Sequence, residues 1–445
     1  MSSNKNTSVF DFYGKPSLCK ALPLSLQHIL AMIVGTVTVP IIIAGVVGST
    51  IEEKTILIQS ALIFSGLSTL IQLYAFKRIG SCLPVIFGVG FAYVPTLTSI
   101  GSEYGLAAIF GAQIIGGIVM ILIGLYIKKF SKFFPSVVAG TVVLVIGLSL
   151  YDIAINYMAG GVGSSSYGSV TNWSISIITL IVSLIISNFT KGYLKLSSIF
   201  CAIVVGYVLS IFAGIVDFSS VSSASWFSMP KPIEFGIEFQ PSSIISMVII
   251  CAVNSVQTIG DLSATSMGGL NREITDNELS GGLVGNGLCT FISSIFGAFP
   301  TSSFSQNVGI VAMTKVISRF ILGLAAIFLL IAGFIPKFGA LMTTIPHCVL
   351  GGATITVFGM ITITGIKLII NDELSSRNMT IASLAIALGM GIYMVPQSIE
   401  LLPNWINIII GDSPVILSTL LAFSLNIILP KKSLEEESKE LKNIK

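Results

Sequence analysis

Charge is what this sequence has least of. Of its 445 residues, 10% are Asp, Glu, Lys or Arg, whereas 53% are hydrophobic. Soluble domains carry about 25% charged residues. So few charges cannot build a water-facing surface, and most of the exterior must therefore face lipid. The net charge of +3 gives no hint of a nucleic-acid partner. The six cysteines (Cys19, Cys82, Cys201, Cys251, Cys289, Cys348) show no CxxC pair and no metal-ligand spacing, and read as small apolar packing residues. There is no His/Cys/Asp cluster for a metal, no nucleophile elbow and no phosphate-binding glycine loop before a lysine. The glycines of GVGFAY, from Gly88 onward, have no βαβ context and make no dinucleotide fingerprint. Catalytic residues, a cofactor and a metal are therefore not expected. Alternation in ten-residue units is missing as well, which excludes a β-barrel. No cleavable signal peptide opens the chain: its start is polar, with Lys5, Lys15 and Lys20, as expected of a cytoplasmic N-terminus.

What is present is a series of continuous apolar runs. At about 20 residues per span, they predict an all-α polytopic membrane protein with fourteen transmembrane segments. These cover residues 24–47, 55–75, 83–99, 105–127, 134–152, 171–189 and 196–216, then 242–268, 281–298, 304–314, 320–336, 339–363, 379–397 and 413–430. With the N-terminus inside, Lys54, Lys231 and Lys337 alone among 23 basic residues fall in outside loops, the bias of the positive-inside rule. A missed or invented span would invert every later loop and destroy that bias. The expected location is the cell membrane, multi-pass, with both termini cytoplasmic. The tail KKSLEEESKELKNIK reads as a solvated end. Fourteen divides into seven plus seven, and an odd repeat forces its second copy to start from the opposite side. The chain thus divides into a cytoplasmic N-terminus (1–23), a first repeat (24–216), an extracytoplasmic loop (217–241), a second, inverted repeat (242–430) and a cytoplasmic tail (431–445).

Two segments, each third in its half, are broken. Segment three reads LPVIFGVGFAYVP, interrupted by Pro84, Gly88, Gly90 and Pro95. Segment ten reads FPTSSFSQNVGIVAMT, with a polar start and an apolar stretch too short to span. Interrupted segments at matching positions of two repeats point to a midplane transport site, because non-helical backbone at that depth must line a cavity or be buried in protein.

The polar residues inside spans are few, and each is costly there. Segment eight carries Asn254, Gln257, Thr258, Asp261 and Thr265. At 100° per residue, Asn254, Thr258, Asp261 and Thr265 share one helix face, with Gln257 flanking it. Lipid cannot hydrogen-bond that stripe, so it must look into the protein. A helix–helix hydrogen-bonding seam would place the same residues alike; the carboxylate of Asp261 weighs toward a site. In segment ten, Ser302, Ser303, Ser305, Gln306 and Asn307 precede a short helix, whose N-terminus offers free N–H groups and a positive dipole end. Gln306 places a donor beside an acceptor, and Phe91, in the matching break, can stack on a flat heterocycle. Gln27 and His28 open segment one. His347, in TTIPHC, reads as structural.

These residues fall into motifs. Gln306, Asn307, Gly309, Thr314 and Lys315 match the form [Gln/Glu/Pro]-Asn-x-Gly-x-x-x-x-Thr-[Arg/Lys/Gly]. Gln27 and His28 match a Gln-His pair, and Gly260, Asp261, Ala264 and Thr265 match part of Glu-x-x-Gly-Asp-x-x-Ala-Thr. Leu83, Pro84, Val85, Gly88, Phe91 and Ala92 match LPV…G-x-Ser-Phe-Ala. In these four ordered motifs the chain resembles the nucleobase–ascorbate transporter family, the xanthine/uracil permeases, as a purine-type bacterial member. The resemblance implies a core domain and a gate domain, a homodimer, and nucleobase uptake driven by protons or, in some members, sodium. It implies substrate contacts from Phe91, Gly90, Gln257, Ser305 and Gln306, and coupling or supporting roles for Asp261, His28, Gln27, Asn307, Thr314 and Thr265. Two positions depart from the pattern: Gln257 replaces a carboxylate, and Gly90 replaces a serine. A neutral amide hydrogen-bonds but takes up no proton. The expectation is a secondary active transporter for a purine such as xanthine or urate, coupled to a proton. A uracil permease is the alternative within the class; an anion exchanger or channel-like protein of the same fold is the alternative outside it.

Overall fold

The computed structural model describes residues 10–130, 135–191, 193–403, 411, 413–430, 434 and 436. The expected solvated tail lies outside the described residues except for Leu434 and Glu436, and so do Lys5 and Lys132. The first repeat contains α1 (Leu18–Val47), α2 (Ile51–Leu73), strand β1 (Phe87–Val89), α3 (Val94–Leu125), α4 (Ser136–Ser149), α5 (Tyr151–Met158), α6 (Val170–Phe189) and α7 (Ser198–Phe212). The second contains α8 (Pro241–Thr265), α9 (Asp276–Ile295), strand β2 (Thr301–Ser303), α10 (Ser305–Thr314), α11 (Arg319–Gly333), α12 (Pro336–Thr343), α13 (His347–Ile370), α14 (Ser376–Met394) and α15 (Pro414–Ile428). Among the described residues, seven helical stretches are long and apolar enough to cross a membrane, α4 and α5 together making one of them, and each of the fourteen expected segments overlaps helix. The helical part of segment three and segment four are two helices joined within α3 by a break at Gly105 (φ 77°), a positive φ that glycine adopts without strain.

Two expected boundaries need correction. Segment twelve does not begin at 339: α12 is bent 84° from α11, and the spanning helix starts at His347, after Pro346. Proline at that boundary has no N–H to give an incoming helix, and it favours helix starts. Segment three is extended through Val89 and turns helical only from Phe91.

Contacts between loops follow the parity of the spans. On one face, residues 10–14 pair with the α10–α11 connection, through Ile317 N–H to Phe10 O (3.0 Å) and Arg319 N–H to Phe12 O (3.1 Å). The α2–β1 loop joins that face through Gly80 N–H to Gly281 O (2.8 Å). On the other face, Ser228 bonds Phe334 O (3.2 Å), Ile233 bonds Ile295 O (2.6 Å) and Glu238 bonds Ala107 O (3.0 Å). An odd error in the span count would have mixed these groups.

Helices pack through small residues, as expected where lipid removes the hydrophobic drive between them. A Cβ at Gly147 would lie 2.3 Å from Thr362 Oγ1 and one at Gly365 2.3 Å from Leu144 N, so α4 and α13 meet backbone to backbone. The same closeness joins α3 to α9, where a Cβ at Gly117 would lie 2.7 Å from Phe291 N.

Candidate functional site

The two broken segments meet. β1 and β2 pair antiparallel, Phe87 opposite Ser303, Gly88 opposite Ser302 and Val89 opposite Thr301. Each strand satisfies the other's backbone groups, which is how extended chain survives at membrane depth. Glycine is required where they cross: a Cβ at Gly90 would lie 2.6 Å from Ser302 Cβ. Each strand then feeds a helix, the turn at Phe91–Tyr93 leading into α3, and α10 from Ser305. Buried polar groups on α9 fix β2 in depth. Thr301 Oγ1 donates to Asn286 Oδ1 (2.7 Å), and Thr301 N–H donates to Thr290 Oγ1 (3.3 Å).

The polar stripe of α8 faces this crossing. Asn254 Nδ2 donates to Ser302 Oγ at 2.7 Å, and both residues are buried. The carboxylate of Asp261 accepts from Ser303 Oγ (2.5 Å) and from Ser305 Oγ (2.8 and 3.0 Å). Thr265 Oγ1 donates one turn back, to Asp261 O at 2.8 Å. Asp261 thus ties α8 to both the last residue of β2 and the first residue of α10. The Thr258 hydroxyl and Asn254 Oδ1 are buried without a partner among the described residues.

One face of α10 is open. Ser305, Gly309 and Met313 are exposed at a spacing of four and Gln306 is half-buried, whereas Asn307, Val308, Ile310 and Val311 are buried. Gly260 and Ala264 on α8, and Met267 just past its end, are likewise exposed, with Gln257 and Asp261 half-buried beside them. The backbone N–H groups of Ser305 and Gln306, and the Gln306 amide, make no hydrogen bond among the described residues. The start of α10 therefore presents two unpaired main-chain donors and a side-chain donor and acceptor beside Asp261, the equipment for holding a planar molecule with carbonyl and N–H edges.

The remaining expected residues are placed as follows. Phe91 is buried, its ring edge-on to Phe358 of α13, centroids 5.1 Å apart at 81°. It also lies beside Gly35, where an added Cβ would stand 3.1 Å from the ring. His28 is buried and faces Asn307, not Asp261: its Nδ1 lies 3.0 Å from Asn307 Nδ2, which also donates to His28 O at 3.0 Å. The partners of Asp261 are the Ser303 and Ser305 hydroxyls. Gln27 is buried with both amide atoms unpartnered among the described residues. Thr314 sits at the far end of α10, about 13 Å from Ser305 at 1.5 Å per residue; its hydroxyl bonds Ile310 O and accepts from Val316 N–H, a helix-ending role. Lys315 adopts φ 56° there and its ammonium donates to Gly268 O and to Asn271 Oδ1 (3.2 Å). His347 packs edge-on against Tyr157.

Several residues that complete the site do not stand out in the sequence. Ser303 reads there only as part of a polar run. Asn286 and Gln113 are further members, and a lone amide in an apolar run such as GAQIIGG is the signal that could have found them. Gln113 Nε2 bonds Thr290 O, Ser293 Oγ and Ala298 O at 2.9, 3.0 and 2.9 Å, holding the turn that leads into β2.

The Permease family model, Xan_ur_permease, matches residues 19–398. The chain belongs to this xanthine/uracil permease family. It is 36% identical to a xanthine permease of Bacillus subtilis over 426 residues, covering 94% of this chain and 97% of that protein. It is equally 36% identical to the uric acid permease PucK of the same organism over 411 residues, covering 92% and 95%. In structure it resembles the transmembrane domain of the cyanobacterium bicarbonate transporter BicA, with a TM-score of 0.61 at 16% identity, covering 93% of this chain and 99% of that one. That likeness establishes the fold of a polytopic membrane transporter. Membership of a permease family points to transport and not to catalysis.

Proposed function

We propose that the chain is a nucleobase permease that takes up a purine of the xanthine or urate type by proton symport, through alternating access of the site at the β1–β2 crossing. The observation that carries this reading is the open start of α10, where Gln306 and two unpaired main-chain N–H groups stand next to Asp261. A purine dione offers alternating carbonyl and N–H groups that fit such a set. The names of the relatives agree with a purine substrate. Binding contacts are assigned to Gln306, Ser305, Gln257, Phe91 and the backbone at Gly90. With Gln257 neutral, Asp261 is the acid available to carry the proton; the hydroxyls of Ser303 and Ser305 donate to its carboxylate when it is charged. An unpaired carboxylate in a low-dielectric interior is costly, so it must be hydrogen-bonded or neutral in each state of the cycle. The basic bias of the loops supports both termini being cytoplasmic, and a homodimer in the cell membrane completes the proposal.

The test is radiolabelled uptake of xanthine, urate, uracil and sulfate into cells that lack their own carriers, with and without a protonophore. Accumulation of xanthine or urate that collapses with protonophore is the expected result. Accumulation of uracil alone, or of sulfate alone, would overturn the substrate assignment, and accumulation indifferent to protonophore would overturn the coupling. Asp261→Asn should abolish accumulation against a gradient yet leave exchange of substrate for substrate measurable.

A further inference from the structure

Two polar atoms on the stripe of α8 are left over. Asn254 and Thr258 are both 0% exposed, and neither Asn254 Oδ1 nor the Thr258 hydroxyl has a partner among the described residues. Ser302 Oγ gives its own hydrogen to Ser303 O (3.4 Å), so the Asn254 amide must turn its Nδ2 toward Ser302, which leaves Oδ1 as an unused acceptor. Buried polar atoms without partners are costly. Here two of them stand one helical turn apart, while Asp261 and Thr265 on the same face are engaged. Asn254 and Asp261 hold the neighbouring strand residues Ser302 and Ser303, yet lie about 10 Å apart along the helix at 1.5 Å per residue. Successive strand residues advance only about 3.3 Å. Thr258 occupies the interval between the two anchors, on the face that meets β2.

We propose that Thr258 and Asn254 form a hydrogen-bond relay that receives the Ser303 hydroxyl when Asp261 is protonated, a proposal that rests on the reading of Asp261 as the proton carrier. With the carboxylate charged, Ser303 donates to Oδ2 and Ser305 to Oδ1 and Oδ2. A proton added at Oδ2 makes that oxygen a donor, and its O–H points at Ser303 Oγ. The Ser303 hydrogen must then find another acceptor, because the residue is buried away from water. Thr258 Oγ1 accepts it, and the Thr258 hydrogen turns to Asn254 Oδ1. The one bond formed is O–H at Oδ2; the hydroxyls only rotate, and Ser305 goes on donating to Oδ1. Thr258 and Asn254 are thus positioning residues. Unpaired while Asp261 is charged and paired when it is neutral, they favour the protonated state. Of the groups on the surrounding elements, Gln257 beside it on α8 takes up no proton and His28 of α1 faces Asn307. Lys315, just past the far end of α10, donates to Gly268 O and Asn271 Oδ1.

Infrared difference spectra of the purified full chain, recorded as pH is lowered, test this. They follow the carboxylic C=O band of Asp261, identified by its loss in Asp261→Asn. Thr258→Val exchanges the hydroxyl for a methyl, and Thr258→Ala removes it outright. Each should lower the proton affinity about tenfold, so that the band appears about one pH unit lower. Thr258→Ser keeps the hydroxyl and should titrate as the unaltered chain does. In a Ser303→Ala background the relay is already cut, and Thr258→Val should shift nothing further. Unchanged titration in Thr258→Val and Thr258→Ala would overturn the relay, as would the same shift in the Ser303→Ala background. Either result would leave the coupling reading standing. The absence of any Asp261-dependent band in the unaltered chain would overturn that reading and the relay together. No nucleobase is needed, so the outcome is independent of the substrate assignment.

Discussion

The two serines on Asp261 make different predictions, because one is buried and the other is not. Ser303 is buried and donates to Asp261 at 2.5 Å; Ser305 is exposed and donates at 2.8 and 3.0 Å. A hydrogen bond to a charged group contributes ~1.5–3 kcal/mol and a neutral one ~0.5–1.5 kcal/mol. Ser303→Ala removes a buried charge-assisted bond, about 2 kcal/mol, or roughly 30-fold at 1.4 kcal/mol per factor of ten. Ser305→Ala removes an exposed one, below ~1 kcal/mol and so less than about fivefold. Asp261→Asn turns both bonds into neutral ones, for about 2 kcal/mol again. The quantity to read is the nucleobase dissociation constant of the purified protein, since α10 must be docked on α8 for Gln306 and the free amides to meet the base. Because Asp261 and Ser303 share one bond, the double variant should fall well short of the sum of the single effects. Equal losses from the two serine variants, or additive losses in the double variant, would refute the reasoning.

Three further outcomes follow. Gln306→Ala should weaken purine binding by ~1–3 kcal/mol, about 5- to 150-fold, because the partner groups on the base are left unpaired; competition binding with xanthine and urate measures it, and unchanged affinity for every nucleobase removes Gln306 from the site. Phe91→Ala should weaken binding, while Phe91→Tyr or Phe91→Trp keeps a flat π-face and part of the uptake; wild-type affinity in the Ala variant would make Phe91 ordinary packing. Gly147→Leu should deplete the protein from the membrane, since a Cβ there already meets Thr362 at 2.3 Å, whereas Gly391→Ala, with nothing within 4 Å, should not; quantitative immunoblots of membranes compare the two.

Much of this architecture was legible because lipid is a strict solvent. Apolar runs had to be helices, and Gly90 and Pro84 had to sit where backbone is paired within the protein, as β1 and β2 turn out to be. The segment-eight stripe was readable from helical periodicity alone. Partners were not readable. Nothing in spacing told that Asp261 would take serine hydroxyls while His28 took Asn307, since both pairings join residues far apart in sequence. Nor did hydropathy show the bend between α11 and α12 or the break at Pro346. Thr343, Thr344 and His347 dilute the run from Gly339 to Phe358 too little to divide it.

The central claim is that a nucleobase binds against the open face of α10. Gly309 lies on that face, exposed, with nothing within 4 Å of an added Cβ, so Gly309→Cys can be introduced without a clash. Its alkylation by a maleimide, measured with the exposed Cys19 and Cys82 replaced by serine, reads occupancy of the site directly. The account predicts that xanthine or urate slows that alkylation over the same concentration range in which it saturates uptake, and that Gln306→Ala shifts the protection to higher concentration. Alkylation at an unchanged rate under saturating purine, in a variant that still transports, would contradict it.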